Sequence, residues 1–307
     1  MLNRTRVITF TVPAEYEGRR LDSYVRHMGY TGHTVIELKK HPDGVLLNGK
    51  PVWMIERLHA GDRIELRIME TENSPHIDPV LLPLEILYED DDLMVLNKPA
   101  GMPTHPSMNH HDNTLANGLA ALFARRGEPF VFRCPTRLDR DTSGLTIIAK
   151  HYAASGILSD MASRKEIRRH YLAVTGTAPD PINGLIDVPL GRKPGSIIER
   201  IPDPEHGESA VTAYRTLFTR NGCSLLLVTP ETGRTHQIRV HLLSAGCPII
   251  GDYLYNPDMK KIQRQALHSY SLFFRHPITG QPMHFCAPLP TDLRAALGFT
   301  EDRKSVV

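Results

Sequence analysis

The sequence predicts an α+β protein: a mixed, largely antiparallel central sheet in its larger part, preceded by a small α+β unit. Three observations carry this expectation. Strand-like and helical patterns alternate from about residue 84 to 290 without the regular βαβ rhythm of a doubly wound sheet. A stretch with three prolines, TENSPHIDPVLLP at 71–83, has little periodicity and separates two patterned regions. The length of 307 residues suits two domains. The expected boundaries are 1–72 for the front unit, 73–83 for a linker, 84–295 for the large domain and 296–307 for a frayed tail ending EDRKSVV.

In the front unit, ITFTVP (Ile8 to Pro13) alternates like an edge strand. Gly18 opens a helical stretch with Leu21 and Val25 four apart and Met28 a turn further on. In VLLNGKPV (Val45 to Val52), Asn48-Gly49 stands between two apolar arms, a hairpin signal because both turn residues need positive φ. After Asp62, RIELRI alternates through Ile64, Leu66 and Ile68 as a strand. Beyond the linker, which runs into an acidic patch at Glu89 to Asp92, LMVLNKP reads as a strand ending in a lysine-proline turn. TLANGLAALFARRG from Thr114 is helical, with Leu115, Leu119, Leu122 and Phe123 on one face. GLTIIAK is a buried-type strand and HYAASGILSDMA a helix; HYLAV, AVTAYRTLF and CSLLLVTP are further strands. Ile238, Leu242 and Ala245 share one helix face, with Gly246 and Pro248 ending the helix.

Hydrophobic residues are 41% of the chain and charged residues 23%, which allows an ordinary core and excludes global disorder. Thirty-six lysines and arginines against 34 acids give a formal charge of +2, which excludes a histone-like or polybasic chain but not a nucleic-acid binder with local clusters. Such clusters occur at Arg164, Lys165, Arg168 and Arg169, at Arg192 and Lys193, and at Arg125 and Arg126. Cys134, Cys223, Cys247 and Cys286 are too far apart in sequence for a CxxC pair, so neither a disulfide framework nor a zinc knuckle is signalled. The first residues, MLNRTRVITFTVP, contain no apolar stretch of signal-peptide length, and no apolar run is long enough to span a bilayer. The expectation is a soluble, cytoplasmic protein.

The most informative stretch is CPTRLDRDTSGLTIIAK, Cys134 to Lys150. Asp139 stands between Arg137 and Arg140, and nearby positive charge favours its ionised form. Such a carboxylate can be a nucleophile, a metal ligand or half of a salt bridge. Asp139, Asp141, Ser143 and Gly144 match the first positions of a calcium loop, but the position that needs a bidentate glutamate is Lys150, which rejects calcium. His236 and His241 are five apart, wrong for one helical face, and read as structural rather than metal-binding. A Gly-rich dinucleotide loop and a P-loop are both missing.

The run RLDRDTSGL (Arg137 to Leu145) resembles the signature of RluA-type RNA pseudouridine synthases, in particular the subgroup similar to large-subunit ribosomal RNA synthase D. LNKPAGMPTHP (Leu96 to Pro106), TGRTHQIRVHLLSAGCPIIGDYLY (Thr232 to Tyr255), LHSYSLFFRHPITG (Leu267 to Gly280) and FCAPLP (Phe285 to Pro290) resemble further parts of that family, in order, over residues 84 to 290. GRRLD (Gly18 to Asp22), VLLNGK and the Gly61-Asp62 turn resemble an S-four-type RNA-binding domain. The chain departs from the family pattern at Thr136, where histidine is usual, and more mildly at Arg169, where lysine is common.

The resemblance implies isomerisation of uridine to pseudouridine in structured RNA, with no cofactor and no metal. It makes Asp139 the catalytic aspartate, Arg239 its counter-charge and Tyr171 the active-site tyrosine. It places Arg137 in the space left by a flipped base and Ile238 under that base, with Arg169 and Arg234 also binding substrate. Arg19, Arg20, Lys39, Lys40 and Lys50 would line an RNA groove in the front domain. The implied partner is large-subunit ribosomal RNA, with transfer RNA as the alternative, and the chain is expected to act as a monomer. The competing reading is a non-catalytic RNA-binding or ribosome-assembly factor on the same fold, for which Thr136 is the support.

Overall fold

The structure, a computed structural model, describes residues 3–107 and 110–299. In the front part, β1 (Arg4–Thr11), β2 (Val45–Leu47), β3 (Lys50–Pro51) and β4 (Arg63–Glu70) form a four-stranded sheet in the order β1-β4-β2-β3. Helices α1 (Leu21–His27) and α2 (Gly32–Lys39) accompany it. The β2–β3 turn has Asn48 at φ 51° and Gly49 at φ 80°, the two positive angles the hairpin signal requires.

The large sheet draws on β5 (Glu85–Glu89), β6 (Leu93–Lys98), β7 (Ser143–Ala149), β8 (Arg168–Thr175) and β9 (Asn183–Asp187). The small strands β10 (Leu190–Arg192) and β11 (Arg200–Pro202) pair with each other, and β12 (Val211–Arg220), β13 (Cys223–Pro230), β14 (Leu267–Arg275) and β15 (Pro282–Cys286) complete the sheet. Its order is β5-β6-β7-β14-β8-β13-β12-β9, with β15 beside β14. Every pairing is antiparallel except β7 with β14, so the sheet is mixed and largely antiparallel. The remaining helices are α3 (Leu115–Arg126), α4 (Tyr152–Ser163), α5 (Gln237–Ser244) and α6 (Thr291–Ala296). No helix among the described residues is long and apolar enough to cross a membrane.

One apolar cluster joins the front sheet to α4, β7 and β14 through residues such as Ile64, Leu66, Ile147, Leu158 and Leu272. A second lies under β8, β13, α5 and α6, and a third holds α3 against β6. The acidic patch ahead of β6 also ties the two parts together. Asp92 accepts two bonds from Arg6 of β1, at 2.8 and 3.1 Å, and lies 2.9 Å from His151 Nε2. Burial drives the His151 pKa down, and Asp92 opposes this.

Several elements differ from the expectations. Helix α1 starts at Leu21, and Met28 caps its end in solvent instead of extending the apolar face. Helix α2 is short and starts on Gly-His-Thr, so its pattern is weak; the Thr31 cap and burial of Val35 and Leu38 hold it. The segment 73–83 is docked rather than free. Asn73 and Ser74 side chains accept from the Phe130 and Phe132 N–H groups, and Val80 N–H donates to Asn117 O. Its prolines deny it a strand ladder, so polar side chains and Ile77 and Leu82 hold it instead. The tail does not begin at 296: Leu293 and Leu297 of the α6 turn are fully buried, and packing continues through Phe299. The rest of that tail, 300–307, lies outside the described residues.

Gly144, at φ +107°, opens β7 where it crosses β14, and a Cβ there would lie 2.2 Å from Ser269 O. Gly144→Ala is expected to cost more than about 2 kcal/mol through strain and backbone displacement, read from the urea midpoint.

His268 is buried beside this crossing, with Nδ1 2.9 Å from Ser143 Oγ. Burial pushes its pKa down to about 4. The unfolded chain therefore binds more protons between about pH 6.5 and 4, and stability is complete above that window and lost as pH falls through it, by about 3 kcal/mol from this group. His151, His236 and His241 are lowered in the same direction by burial. His268→Gln is thus expected to reduce the pH slope of the urea midpoint, not to abolish it; an unchanged slope would refute the assignment.

Candidate active site

The segment before β7 is held by its own backbone. Thr136 O accepts from Thr146 Oγ1 at 3.0 Å, Leu138 O from Thr104 Oγ1 at 2.9 Å and Arg140 O from Lys98 Nζ at 2.9 Å. Three alternate carbonyls, on both sides of Asp139, are thereby pinned by buried donors. Lys98 also donates to Pro99 O and Met102 O. Burial pushes its pKa down to about 7, opposed by Asp141 and Asp139. Three carbonyl acceptors match the three N–H groups of an ammonium, whereas an amine has two.

Facing Asp139 is Arg239, on α5 and almost wholly buried. Its Nε and Nη2 each bond one oxygen of the buried Asp252 at 2.7 Å. That fork fixes the guanidinium so that Nη1 meets Asp139 Oδ2 at 3.1 Å. Burial opposes the charge on Arg239, but the hydrogen bonds and fields of Asp252 and Asp139 overcome it and hold its pKa above the ordinary value. The rings of Tyr255 and Tyr253 lie 5.0 and 5.7 Å from the guanidinium carbon.

Helix α5 starts abruptly. His236, just before it, is left-handed at φ 57°. Gln237 braces the preceding loop: its Oε1 accepts from Arg234 N–H and Thr232 Oγ1, and its Nε2 donates to Val211 O and Thr212 Oγ1. His236 Nε2 lies 3.9 Å from Asp139 Oδ2, and Nδ1 lies 2.9 Å from Tyr255 Oη. Burial lowers the His236 pKa, Asp139 works against this and Arg239 reinforces it. Tyr255 Oη also accepts from Arg200 N–H at 2.9 Å.

Asp139, Arg239, Tyr171, Arg137, Ile238, Arg169 and Arg234 all line one pocket of about 80 Å³. Tyr171 and Ile238 are buried, Asp139 is partly exposed and Arg137 stands in solvent at the mouth. Through Arg137, Asp139, Arg169 and Arg234 the pocket opens into a cleft of about 1050 Å³ that Lys165 and Arg168 also line. Arg234 pairs with the exposed Glu208 and donates to Ser209 O.

Among the described residues, Asp139 pairs with neither of the arginines that flank it in sequence. Arg140 forks onto Asp141 and stacks on Tyr253, so the local salt bridge is Arg140 with Asp141 and the counter-charge of Asp139 comes from a hundred residues away. His241 bonds Thr212 Oγ1 and Val188 O, whereas His236 belongs to the pocket. Sequence reasoning missed Asp252, Lys98 and this placement of His236. Among the described residues, the group with metal-ligand spacing is Asp90, Asp92 and His276. Its carboxylates already meet Arg6, His151, Tyr88 and His276.

A family model described as RNA pseudouridylate synthase matches residues 92–244. An uncharacterized RNA pseudouridine synthase of Bacillus subtilis, YhcT, is 39% identical over 96% of this chain and 97% of that protein. The chain belongs to the RNA pseudouridylate synthase family. Ribosomal large subunit pseudouridine synthase D of Xanthomonas campestris pv. campestris is 34% identical, covering 92% of this chain and 89% of that one. Human RNA pseudouridylate synthase domain containing 1 superposes with a TM-score of 0.58 at 26% identity, over 70% of this chain and 87% of that one. This pseudouridine synthase therefore presents a pocket with one carboxylate, held by a buried cation, beside an aromatic ring.

Asp252→Asn leaves Arg239 with one carboxylate instead of two. Removing one partner of a buried pair costs about 3–5 kcal/mol, and turnover of RNA is expected to fall at least about a hundredfold because the guanidinium loses its orientation. Denaturant unfolding and single-turnover kinetics read the two effects separately.

Proposed function

We propose that this enzyme isomerises uridine in large-subunit ribosomal RNA, with Asp139 as its catalytic carboxylate. One observation carries the assignment of Asp139: it reaches into the pocket while paired with a guanidinium that Asp252 holds in place. The relatives named ribosomal large subunit pseudouridine synthase D support the choice of RNA.

A uridine within RNA must leave its stack to reach the pocket, at a cost of a few kcal/mol. Cations along the cleft, among them Arg137, Lys165, Arg168 and Arg169, offset this through phosphate contacts. Arg137, exposed at the mouth, fills the space the base leaves. Tyr171 offers its ring face and Ile238 an apolar floor, with Arg169 and Arg234 at the rim. The bond from ribose carbon 1′ to base nitrogen 1 then breaks, the base turns, and carbon 5 joins carbon 1′. The proton displaced from carbon 5 leaves, and nitrogen 1 gains one. Asp139 serves this by attack at base carbon 6, by attack at carbon 1′ or by taking the 2′ proton; each route needs a carboxylate held in place, and Arg239 bonds one of its oxygens. The sum is redox-neutral and requires no cofactor.

Residues 1–72 are proposed as an S-four-like RNA-binding domain acting with 84–295, in a cytoplasmic monomer. Against a non-catalytic role, the Thr136 contribution to the loop is its carbonyl, which any residue supplies.

Asp139→Asn is expected to lower pseudouridine formation by at least about a thousandfold, or some 4 kcal/mol of barrier, while RNA binding stays within about threefold. Carbodiimide-stop primer extension on ribosomal RNA from deletion strains, complemented with wild type or variant, reads the modification. Unmodified uridine at every large-subunit site with the wild type would refute the substrate, and modification by the variant would refute the role of Asp139.

A further inference from the structure

On β8, β14 and β15, residues directly opposite one another share a sheet face. Arg168 faces Phe273, which faces His284; His170 faces Ser271, which faces Cys286. Phe273 and His284 stack with centroids 3.8 Å apart and planes 8° apart, and His170 meets Phe273 edge-on at 6.0 Å. Phe273 is 38% exposed, a poor place for a ring that serves only the core. Arg275 lies two residues further along the same face and is exposed. The three strands contain neither aspartate nor glutamate. The face is continuous with the cleft: Arg168 and Thr229 line it, and Thr229 Oγ1 lies 2.8 Å from His170 Nδ1.

We infer that this face is a stacking subsite for unpaired RNA bases flanking the target nucleotide, with Phe273 and His284 as the platform and Arg168 and Arg275 as phosphate contacts. The inference rests on the RNA substrate proposed above. Every base has a flat face for an aromatic ring, and single-stranded RNA brings phosphates at the spacing that cations beside such rings can meet. An apolar peptide would gain from the rings but not from two exposed arginines without a carboxylate on their strands. A double helix would hide its bases from the platform.

Cys286 supplies a reporter in the unmodified protein. It is the exposed cysteine of the four, and its Sγ lies 3.2 Å from His284 Nε2. In-vitro-transcribed large-subunit ribosomal RNA is expected to slow alkylation of Cys286 by N-ethylmaleimide several-fold. Phe273→Ala is expected to raise KM and Kd for that RNA roughly tenfold with kcat unchanged, and Phe273→Trp to restore both. Circular dichroism and unfolding midpoints show that each variant is folded. A short oligoribonucleotide with the modified uridine at its centre and abasic nucleotides on either side should lose the distinction between Phe273→Ala and wild type. Unprotected Cys286 together with wild-type binding by Phe273→Ala would overturn the subsite, and a fall in kcat alone would also do so. Loss of a protein partner with RNA binding intact would assign the face to protein instead. A wild type that modifies no RNA would instead overturn the function proposed above, so the two failures are distinguishable.

Discussion

A guanidinium without water around it needs anions, and the burial of Arg239 organises the site around that requirement. Asp252 meets the need with a two-point fork and is itself buried, so this pair is fixed and internally neutral. Arg239 still has Nη1 to satisfy, and Asp139 satisfies it from the solvent side. One cation between two carboxylates leaves a net negative charge, and that charge resides on the carboxylate that faces the pocket. Asp252 thus fixes the guanidinium that meets Asp139, although it does not itself line the pocket. Without it the guanidinium would turn or attract water, and Asp139 would lose both position and counter-charge.

The same economy governs the loop that carries Asp139. An exposed loop would hold a carboxylate only loosely, but here alternate carbonyls accept from Thr146, Thr104 and Lys98, which anchors the backbone on both sides of residue 139. Gly144 lets the next strand pass within contact of Ser269, so the loop feeds directly into the sheet at its one parallel pairing. Side chains of β6, β7 and the turn after β6 hold the segment without taking part in the pocket. Rigidity of this sort keeps a reacting group in place to within a fraction of an ångström.

Much of this was legible in the sequence, and the reasons differ by element. Strands such as β7 and β13 declare themselves through uninterrupted apolar runs, and the Asn48-Gly49 hairpin through its required angles. The seven residues proposed from the family resemblance meet in one pocket because long motifs carry their three-dimensional arrangement with them. What stayed hidden depends on contacts between distant segments. Adjacency alone would pair Asp139 with Arg137 and Arg140; the family resemblance set Arg239 against it, and its bond goes there. Asp252 lies within a quoted motif but has no local pattern to mark it as the anchor of that arginine. Lys98 looks like a turn lysine until three carbonyls converge on it. The docking of 73–83 depends on Phe130, Phe132 and Asn117, some 40 to 60 residues further on. Short elements such as α2, β10 and β11 exist through packing rather than propensity.

An anionic polymer approaching the carboxylate of Asp139 should be repelled, and the distribution of charge answers this. The formal charge of the whole chain is only +2. Around the pocket, however, Arg137, Arg168, Arg169 and Lys165 stand at the rim of the cleft, while Arg239 and Lys98 lie behind Asp139. The phosphates therefore meet cations before they approach the carboxylate, and the carboxylate itself is compensated from within the protein. Acidic residues elsewhere are largely committed: Asp141 to Arg140, Asp92 to Arg6 and His151, Glu89 to Arg126 and Lys150. Salt should therefore weaken RNA capture steeply, because the rim charges are exposed. The pairing of Arg239 with Asp252 should hardly respond, because it is dry. Binding and chemistry in this fold thus draw on two separate sets of charges, one screened by solvent and one sealed from it.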